Sequence, residues 1–133
     1  MPVIDASAVL YLLASADGLD PLADVDLMAP ALMWSEVTSV LSEMRSRQEI
    51  SDELADTSFD RLLVARIARR ANGELYRSAR VLARQLGWAK TYDAEYVALA
   101  RTARTALITR DERLRRRVRD LVEVVSPDEV VPL

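Results

Sequence analysis

Four acidic residues are candidates for chemistry: Asp5, Glu36, Asp93 and Asp111. The three aspartates lie at the ends or starts of predicted elements, and Glu36 borders the buried face of a predicted helix. Their oxygens are hard ligands, which suit Mg²⁺ or Mn²⁺ better than zinc or copper. Carboxylates brought close together raise one another's pKa, so a cation stabilises such a group. If the fold gathers these four side chains, the chemistry it favours is that of a divalent metal site.

Composition excludes several other kinds of catalytic site. The chain contains no histidine and no cysteine. Without imidazole, the usual general acid or base at neutral pH is missing, and so are serine-type triads and most zinc sites. Without thiols, the chain has no thiolate nucleophile and no disulfide. Carboxylate chemistry is what remains.

Each acid also has an ordinary structural interpretation. An Asp between a strand and a helix commonly caps the helix by accepting hydrogen bonds from backbone N–H groups. Three of the four acids fit that description when taken singly: Asp5, Asp93 and Asp111. Glu36 alone would be a residue on a helix flank. The hydroxyls of Ser7 and Thr109, each two residues from an Asp, are of a type that usually serves turns and caps. Glu95 and Glu112 follow helix starts, where the helix dipole alone favours acids.

The elements that must position these acids alternate between short apolar strands and helical patterns. Strands are predicted at 3–4, 25–29, 105–109 and 121–125. Helices are predicted at 8–13, 33–44, 51–63, 73–86, 93–103 and 111–118, with Pro30 ahead of the second and Asn72 capping the fourth. The alternation predicts an α/β sandwich with a mainly parallel sheet.

Such a sheet can bring the acids together at one edge, beyond the ends of its strands. In an open parallel sheet, ligands bind beyond the carboxyl ends of the strands. Asp5 and Asp111 each follow a predicted strand, and Asp93 lies at a predicted helix start. At about 100° per residue, Glu36 lies about 40° around its helix from Val40, so it borders the buried stripe. The four carboxylates can therefore converge.

Length and hydropathy predict one soluble domain. The 133 residues suit a single domain spanning 1–133, and a hydrophobic content of 50% is enough to bury a core without disulfides. No apolar run approaches the ~18 residues that a transmembrane helix needs. The N-terminus lacks the basic segment and small-residue cleavage site of a signal peptide. A cytoplasmic protein without membrane contact is therefore expected.

The formal net charge of −3 hides an uneven distribution. Residues 1–43 contain seven acidic residues and no Lys or Arg, whereas residues 61–119 contain sixteen Arg or Lys against five Asp or Glu, a local net charge of +11. A basic surface beside an acidic site suits nucleic acid, because it attracts phosphates while the acids hold metal. Solvated Arg-rich helix faces, together with a bias in nucleotide composition, are the alternative explanation.

Four segments of the chain carry motifs. They are Val-Ile-Asp-Ala-Ser at 3–7, Trp-Ser-Glu-Val at 34–37 followed by Leu41, Tyr-Asp-Ala-Glu-Tyr-Val-Ala-Leu-Ala at 92–100, and Leu-Ile-Thr-Arg-Asp-Glu-Arg-Leu at 107–114. The first two are weak alone, whereas the last two, with aspartates 18 residues apart, are specific together. In order, spacing and length, the chain resembles the PIN-domain family over nearly its whole extent, in particular the VapC toxin nucleases of bacterial VapBC toxin–antitoxin pairs.

This resemblance implies a PIN-like three-layer sandwich and a site made of Asp5, Glu36, Asp93 and Asp111, with Thr109 and Ser7 as supporting hydroxyls. It implies an endoribonuclease that depends on Mg²⁺ or Mn²⁺ and uses a metal-activated water. We assign the principal ion to the three aspartates. Glu36 would orient the attacking water or help to hold a second ion.

The resemblance also implies partners besides the RNA substrate. These are a second copy of the chain in a homodimer and a small VapB-like antitoxin in a hetero-oligomer. The apolar helices beginning near Ala8 and Ala31 are candidate surfaces for anchoring the antitoxin. Arg113 and the run 115–117 are candidates for contacts with the RNA backbone. The stretch 47–90 carries no motif.

Two other interpretations stay open. A catalytically silent PIN-fold RNA-binding or regulatory domain would keep the fold without turnover, although the presence of all four acids disfavours it. A receiver-like phosphotransfer domain would want a lysine beside its aspartate nucleophile, and the only lysine, Lys90, lies three residues before Asp93 in a predicted loop. No glycine-rich phosphate-binding loop is present, which argues against nucleoside-triphosphate chemistry.

Overall fold

A computed structural model of the protein describes residues 1–130. Its centre is a five-stranded sheet in which every strand pair is parallel, with the order β3-β2-β1-β4-β5. The strands are β1 Val3–Ile4, β2 Leu27–Pro30, β3 Ile67–Arg70, β4 Leu107–Ile108 and β5 Val124–Val125. In the described part of the chain the helices are α1 Ala6–Ala14, α2 Leu32–Ser46, α3 Asp52–Val64, α4 Gly73–Leu86, α5 Tyr92–Ala103, α6 Glu112–Val118 and α7 Pro127–Val130.

Helices cover the sheet, so the expected three-layer α/β sandwich is confirmed. Helices α1, α2 and α3 contact one another, whereas α4 packs against α5. The three inner strands, β2, β1 and β4, are buried along their whole length. Burial on both faces explains why their sequences are continuously apolar rather than alternating.

The direction in which the chain adds strands to the sheet reverses at β1. The chain builds β2 and β3 on one side of β1, then returns to place β4 and β5 on the other. The carboxyl ends of β1 and β4 therefore lie side by side, with Val3 and Ile4 in register with Leu107 and Ile108. Such a topological switch point is where open α/β sheets form their ligand sites.

Several helices begin at residues whose side chains cap them. Ser51 accepts a hydrogen bond from the Leu54 N–H at the start of α3, and Asn72 accepts one from the Leu75 N–H at the start of α4. These bonds satisfy backbone donors that the first helical turn leaves without partners. The prediction that Asn72 caps its helix is confirmed.

The structure corrects the predicted elements at several boundaries. The strand predicted at 25–29 is β2, shifted to Leu27–Pro30, so Pro30 is the last residue of a strand and directly precedes Ala31, the N-cap residue of α2. The strands predicted at 105–109 and 121–125 shorten to Leu107–Ile108 and Val124–Val125. All five strands are parallel, a more uniform sheet than the mainly parallel one expected. None of the helices described within residues 1–130 is long and apolar enough to span a membrane.

Candidate active site

Asp5 follows β1 and is the most buried of the four predicted acids, at 5% exposure. Its Oδ1 accepts hydrogen bonds from the Ala8 N–H at 3.0 Å and from the Ser7 hydroxyl at 2.7 Å. Its Oδ2 accepts a hydrogen bond from the Thr109 hydroxyl. Asp5 therefore caps α1 while its carboxylate stays fixed in orientation. Burial raises the pKa of Asp5 more than these hydrogen bonds lower it.

Two hydroxyls connect the ends of β1 and β4. Ser7 Oγ and Thr109 Oγ1 lie 3.2 Å apart, and Thr109 is 2% exposed. Ser7 also accepts a hydrogen bond from the Arg110 N–H, and Thr109 accepts one from the Asp111 N–H, each at 3.0 Å. Together these bonds tie the two adjacent strand ends to the same carboxylate. Ser7 and Thr109 thus both contact Asp5 directly.

Asp111 caps the helix that follows β4. Its Oδ1 accepts hydrogen bonds from the N–H groups of Arg113 at 2.9 Å and Leu114 at 3.1 Å. The residue is exposed, and no other hydrogen bond to its carboxylate is formed within residues 1–130. The ordinary interpretation as a helix cap is thus correct for Asp5 and Asp111, yet the cap of α6 engages only Oδ1 of Asp111.

Glu36 comes from the second turn of α2 and is half-buried, as its place beside the buried stripe predicted. Its Oε1 accepts a hydrogen bond of 2.5 Å from the Tyr96 hydroxyl. Partial burial raises the pKa of Glu36, and the negative charges of Asp93 and Asp5 raise it further, against the lowering effect of Tyr96. Tyr96 holds one carboxylate oxygen and leaves the other available.

Asp93 lies in the first turn of α5 and is exposed. Within the described residues its side chain takes part in no hydrogen bond, and Thr91 is the residue at the N-cap position. Partial burial of its carboxyl raises the pKa of Asp93, as does the negative charge of Asp111, whereas the positive charge of Arg117 lowers it. Asp93 is the least engaged of the four acids.

Shared contacts place the four acids near one another: Thr109 bonds to the Asp5 carboxylate and to the Asp111 N–H, and Glu36 and Asp93 line one cleft. The charge of Asp111 acts on Asp5 and on Asp93, and the charges of Asp93 and Asp5 act on Glu36. Two of the acids come from strand ends and two from helices. The fold therefore gathers the four predicted side chains into one acidic cluster, which consists of Asp5, Glu36, Asp93 and Asp111.

Two residues beside the cluster, Tyr96 and Glu95, had been given no role in the site from the sequence. Tyr96, 2% exposed, orients Glu36, and both its burial and this hydrogen bond raise its pKa. Its spacing of three residues from Asp93 on a helix was the available signal, since such residues share a face. Glu95 is 8% exposed and close enough to Glu36 for repulsion to raise its pKa further, after burial. The helix dipole alone is therefore an incomplete explanation of Glu95.

The donor set suits a small, hard divalent cation. It consists only of carboxylate oxygens, which Mg²⁺ and Mn²⁺ prefer. Hydrogen bonds engage both oxygens of Asp5 but leave free, among residues 1–130, Glu36 Oε2, Asp111 Oδ2 and both oxygens of Asp93. Within those same residues, no three acidic side chains stand close enough to form a ready metal-binding group.

The family sequence pattern described as the PIN domain matches residues 3–120. The chain belongs to the PIN domain family. The matched segment contains all four acids of the cluster, together with Ser7, Tyr96 and Thr109. Comparison with curated protein sequences gives no match.

Solved structures share the fold of this PIN domain. PAE2754 from Pyrobaculum aerophilum has a TM-score of 0.74 at 20% identity, covering 97% of this chain and 90% of that one. A chain of a toxin–antitoxin complex from Klebsiella pneumoniae has a TM-score of 0.65 at 16% identity, covering 96% and 98%. FitAcB from Neisseria gonorrhoeae has a TM-score of 0.61 at 18% identity, covering 98% and 100%. At these identities the likeness concerns the fold.

Arginines stacked on aromatic rings accompany the acidic cluster of this PIN domain. The Arg110 guanidinium lies 3.7 Å from the centre of the Tyr11 ring, and Arg110 immediately precedes Asp111. Arg117 lies 4.5 Å from the ring centre of Trp88. Of the arginines predicted to contact RNA, Arg115 forms an ion pair with Glu129 at 3.3 Å. Stacking holds a guanidinium in place while leaving its N–H groups able to donate.

Proposed function

We propose that this PIN domain is a metal-dependent endoribonuclease that cleaves RNA at the acidic cluster. The observation that carries the proposal is the placement of the four acids around the adjacent ends of β1 and β4. Thr109 bonds there to the Asp5 carboxylate and to the Asp111 N–H, and Glu36 and Asp93 line one cleft. Raised pKa values at carboxylates in a cleft are a mark of functional sites, and a divalent cation would relieve the repulsion. Family membership supports the same activity.

The four acids have different tasks in this proposal. Asp5, Asp93 and Asp111 would hold the cation, with Asp5 fixed in orientation by its three hydrogen-bond donors. A cation held by these residues would supply a water of lowered pKa and would neutralise charge on the scissile phosphate. Glu36 would accept a hydrogen bond from the attacking water at Oε2, because Tyr96 already engages Oε1. Glu36 thereby orients that water for in-line attack.

The products follow from which bond breaks. The water oxygen forms a bond to phosphorus, the P–O3′ bond breaks, and the 3′ oxygen leaves with a proton. RNA is thus left with a 5′-phosphate on one fragment and a 3′-hydroxyl on the other. Attack by the ribose 2′-hydroxyl would instead give a 2′,3′-cyclic phosphate and usually needs a base, a role for which this histidine-free chain lacks its common residue.

One observation favours a second candidate, a silent RNA-binding or regulatory PIN domain. Among residues 1–130, no three acidic side chains already form a metal-binding group. A domain of this kind would bind RNA without cleaving it. The two candidates therefore differ in turnover and not in RNA affinity.

Incubation of the purified protein with total RNA, in Mg²⁺, in Mn²⁺ and in chelator, separates them. We expect cleavage with either cation, none in chelator, and 5′-phosphate ends on the products. Cleavage that persists in chelator would contradict the metal site, and a 2′,3′-cyclic phosphate as the primary product would contradict the attack by water. RNA binding without cleavage under all conditions would establish the silent domain.

We also propose that this PIN domain is a cytoplasmic VapC-type toxin, forms a homodimer and is restrained by a small antitoxin. The likeness of the fold to a chain of a toxin–antitoxin complex from Klebsiella pneumoniae supports the antitoxin partner. An arginine of the partner would suit the cluster, because a guanidinium can bridge two carboxylates. For an apolar anchor, the most exposed candidates are Leu63 and Val64 on α3, at 62% and 78% exposure, rather than residues of α1 or α2.

Co-purification with the product of the adjacent small gene tests the inhibition. Single changes of basic residues to Ala in the partner's C-terminal segment should restore RNA cleavage at one or more positions. If the pair binds tightly and none of these changes restores cleavage, inhibition does not act by occupying the carboxylates.

A further inference from the structure

A cleft opens directly beside the acidic cluster, between the end of α4, the start of α5 and α6. Its volume is about 590 Å³, within the range of ~300–1,000 Å³ that is usual for small-molecule sites. Glu36 and Asp93 of the acidic cluster form part of its wall, and the rest includes Trp88, Lys90, Tyr92 and Arg117. The cleft is therefore continuous with the carboxylates and adds aromatic and cationic groups to them.

The turn between α4 and α5 places these side chains. Gly87 ends α4 in the left-handed conformation, with φ of 72°, and the Trp88 N–H donates back to the Ala83 carbonyl. Open space surrounds the position of a Cβ at Gly87, so the glycine serves the backbone conformation rather than close packing. The turn then carries Lys90 and Tyr92 past the mouth of the cleft.

The two cations of the cleft have no partner among the ion pairs formed within residues 1–130. Lys90 is exposed, and Arg117 is held 4.5 Å from the ring centre of Trp88. Two cations without ion-pair partners suit an anionic ligand, and a phosphate group of RNA is such a ligand. Glu36 and Asp93 would repel it, so its place is on the side of Lys90 and Arg117.

Tyr92 offers an open aromatic face at the same cleft. Its side chain is 58% exposed although it occupies the first position of a helix otherwise packed against the sheet. Arg117 already stacks on Trp88, which leaves Tyr92 as the more accessible ring. Every nucleobase has a π-face that can stack on such a ring, without a particular sequence being required.

We propose that this cleft binds the nucleotide adjacent to the scissile phosphate, with its base stacked on Tyr92 and a phosphate between Lys90 and Arg117. The inference rests on the proposed nuclease function and specifies its substrate as single-stranded, because a base can reach Tyr92 only after leaving a duplex stack. The cleft thus sets where the strand lies relative to the carboxylates.

The test is the affinity for a short, fluorescently labelled single-stranded RNA in chelator, where cleavage does not interfere. Tyr92→Ala should weaken binding about 10- to 100-fold, and Tyr92→Phe should retain most of it, because the phenyl ring still stacks. Tyr76→Ala is the matched control, since Tyr76 is 50% exposed on α4 and lies outside the cleft. A duplex of the same sequence should compete poorly.

Lys90→Ala and Arg117→Ala should each lower the slope of log affinity against log salt concentration by about 0.7, the value for one lost phosphate contact on a single strand. In Mg²⁺, Tyr92→Ala should raise KM more than it lowers kcat. If the protein cleaves RNA and Tyr92→Ala changes neither affinity nor KM, or if the labelled RNA does not bind, the subsite is refuted. Tyr92-dependent binding without cleavage would refute the nuclease function and leave the subsite standing.

Discussion

The acidic cluster has two halves that the protein holds in different ways. The sheet half consists of Asp5 and Asp111, which follow β1 and β4, and the helix half consists of Glu36 and Asp93, which lie on α2 and α5. Asp5, at the end of β1, is buried and accepts three hydrogen bonds, one of them from Thr109 beyond β4. Asp93, on α5, is exposed and its carboxylate has no hydrogen-bond donor among residues 1–130. A fixed carboxylate can orient a ligand, whereas an unengaged one gains a partner only when a ligand arrives. In the sheet half Asp5 is therefore fixed in position, whereas in the helix half Asp93 is open to a ligand.

The largest expected effect is common to both halves. Asp5→Asn and Asp93→Asn each remove a ligand charge while nearly preserving shape, so each should lower RNA cleavage by at least about a hundredfold, since even outer partners of metal ligands cost 10- to 100-fold when removed. Asp52→Asn is the matched control, because Asp52 also lies in the first turn of a helix but outside the cluster. Wild-type rates in both cluster variants would refute the assignment.

The two halves should differ in stability, and the sheet half should respond more strongly. Thr109→Val keeps the shape but removes the donor to Asp5 Oδ2 and the acceptor of the Asp111 N–H. Leaving a buried polar group unsatisfied costs about 1–3 kcal/mol in free energy of unfolding. Urea denaturation measures the loss, with Thr38→Val as the control, because within residues 1–130 the exposed Thr38 hydroxyl bonds only to the Trp34 carbonyl. Equal effects at the two positions would show that the hydroxyl network does not stabilise the fold.

For the helix half we predict that a substitution at Asp93 increases the free energy of unfolding, by less than the loss expected at Thr109. The size of this increase should depend on pH. Partial burial and the charge of Asp111 raise the pKa of Asp93, so the folded protein holds this proton more tightly than the unfolded chain. Its contribution to stability is fully present below the ordinary pKa of 3.8 and is lost as pH rises through the raised value. The Asp93→Asn variant has no carboxyl proton to release, so its stability does not fall in this way as pH rises.

The free energy of unfolding of Asp93→Asn, relative to the wild type, should therefore increase as pH rises from about 4 to about 7. Denaturation in chelator over this range measures the difference without interference from metal. A difference that stays constant, or that shifts in favour of the wild type, would mean that Asp93 is not destabilised by its neighbours in the folded protein.

The sheet half could be predicted from the sequence more completely than the helix half. Asp5 and Asp111 directly follow strand regions whose apolar runs are visible, and the rule on carboxyl ends then brings them together. Glu36 could be placed only beside the buried stripe of its helix. Its partner Tyr96 lies 60 residues away, so that contact depends on how α2 and α5 pack, which periodicity does not reveal.

Strand β3, which was not predicted from the sequence, shows the same limit of sequence patterns. β3 is an edge strand with the sequence Ile-Ala-Arg-Arg, of which Ile67 alone is fully buried. A strand with one buried side chain gives neither an apolar run nor an alternating pattern. The cleft beside the cluster depends likewise on the turn at Gly87 and on the stacking of Arg117 upon Trp88, which are contacts between elements.

Binding of Mn²⁺ tests most directly whether the two halves form one metal site. The electron paramagnetic resonance signal of free Mn²⁺ reports binding without any requirement for RNA or turnover. We predict that the wild-type protein and Asp52→Asn bind Mn²⁺ alike, and that Asp5→Asn and Asp93→Asn each bind it at least about tenfold more weakly. Failure of the wild-type protein to bind Mn²⁺, or equal affinity in all four proteins, would contradict a metal site at these carboxylates.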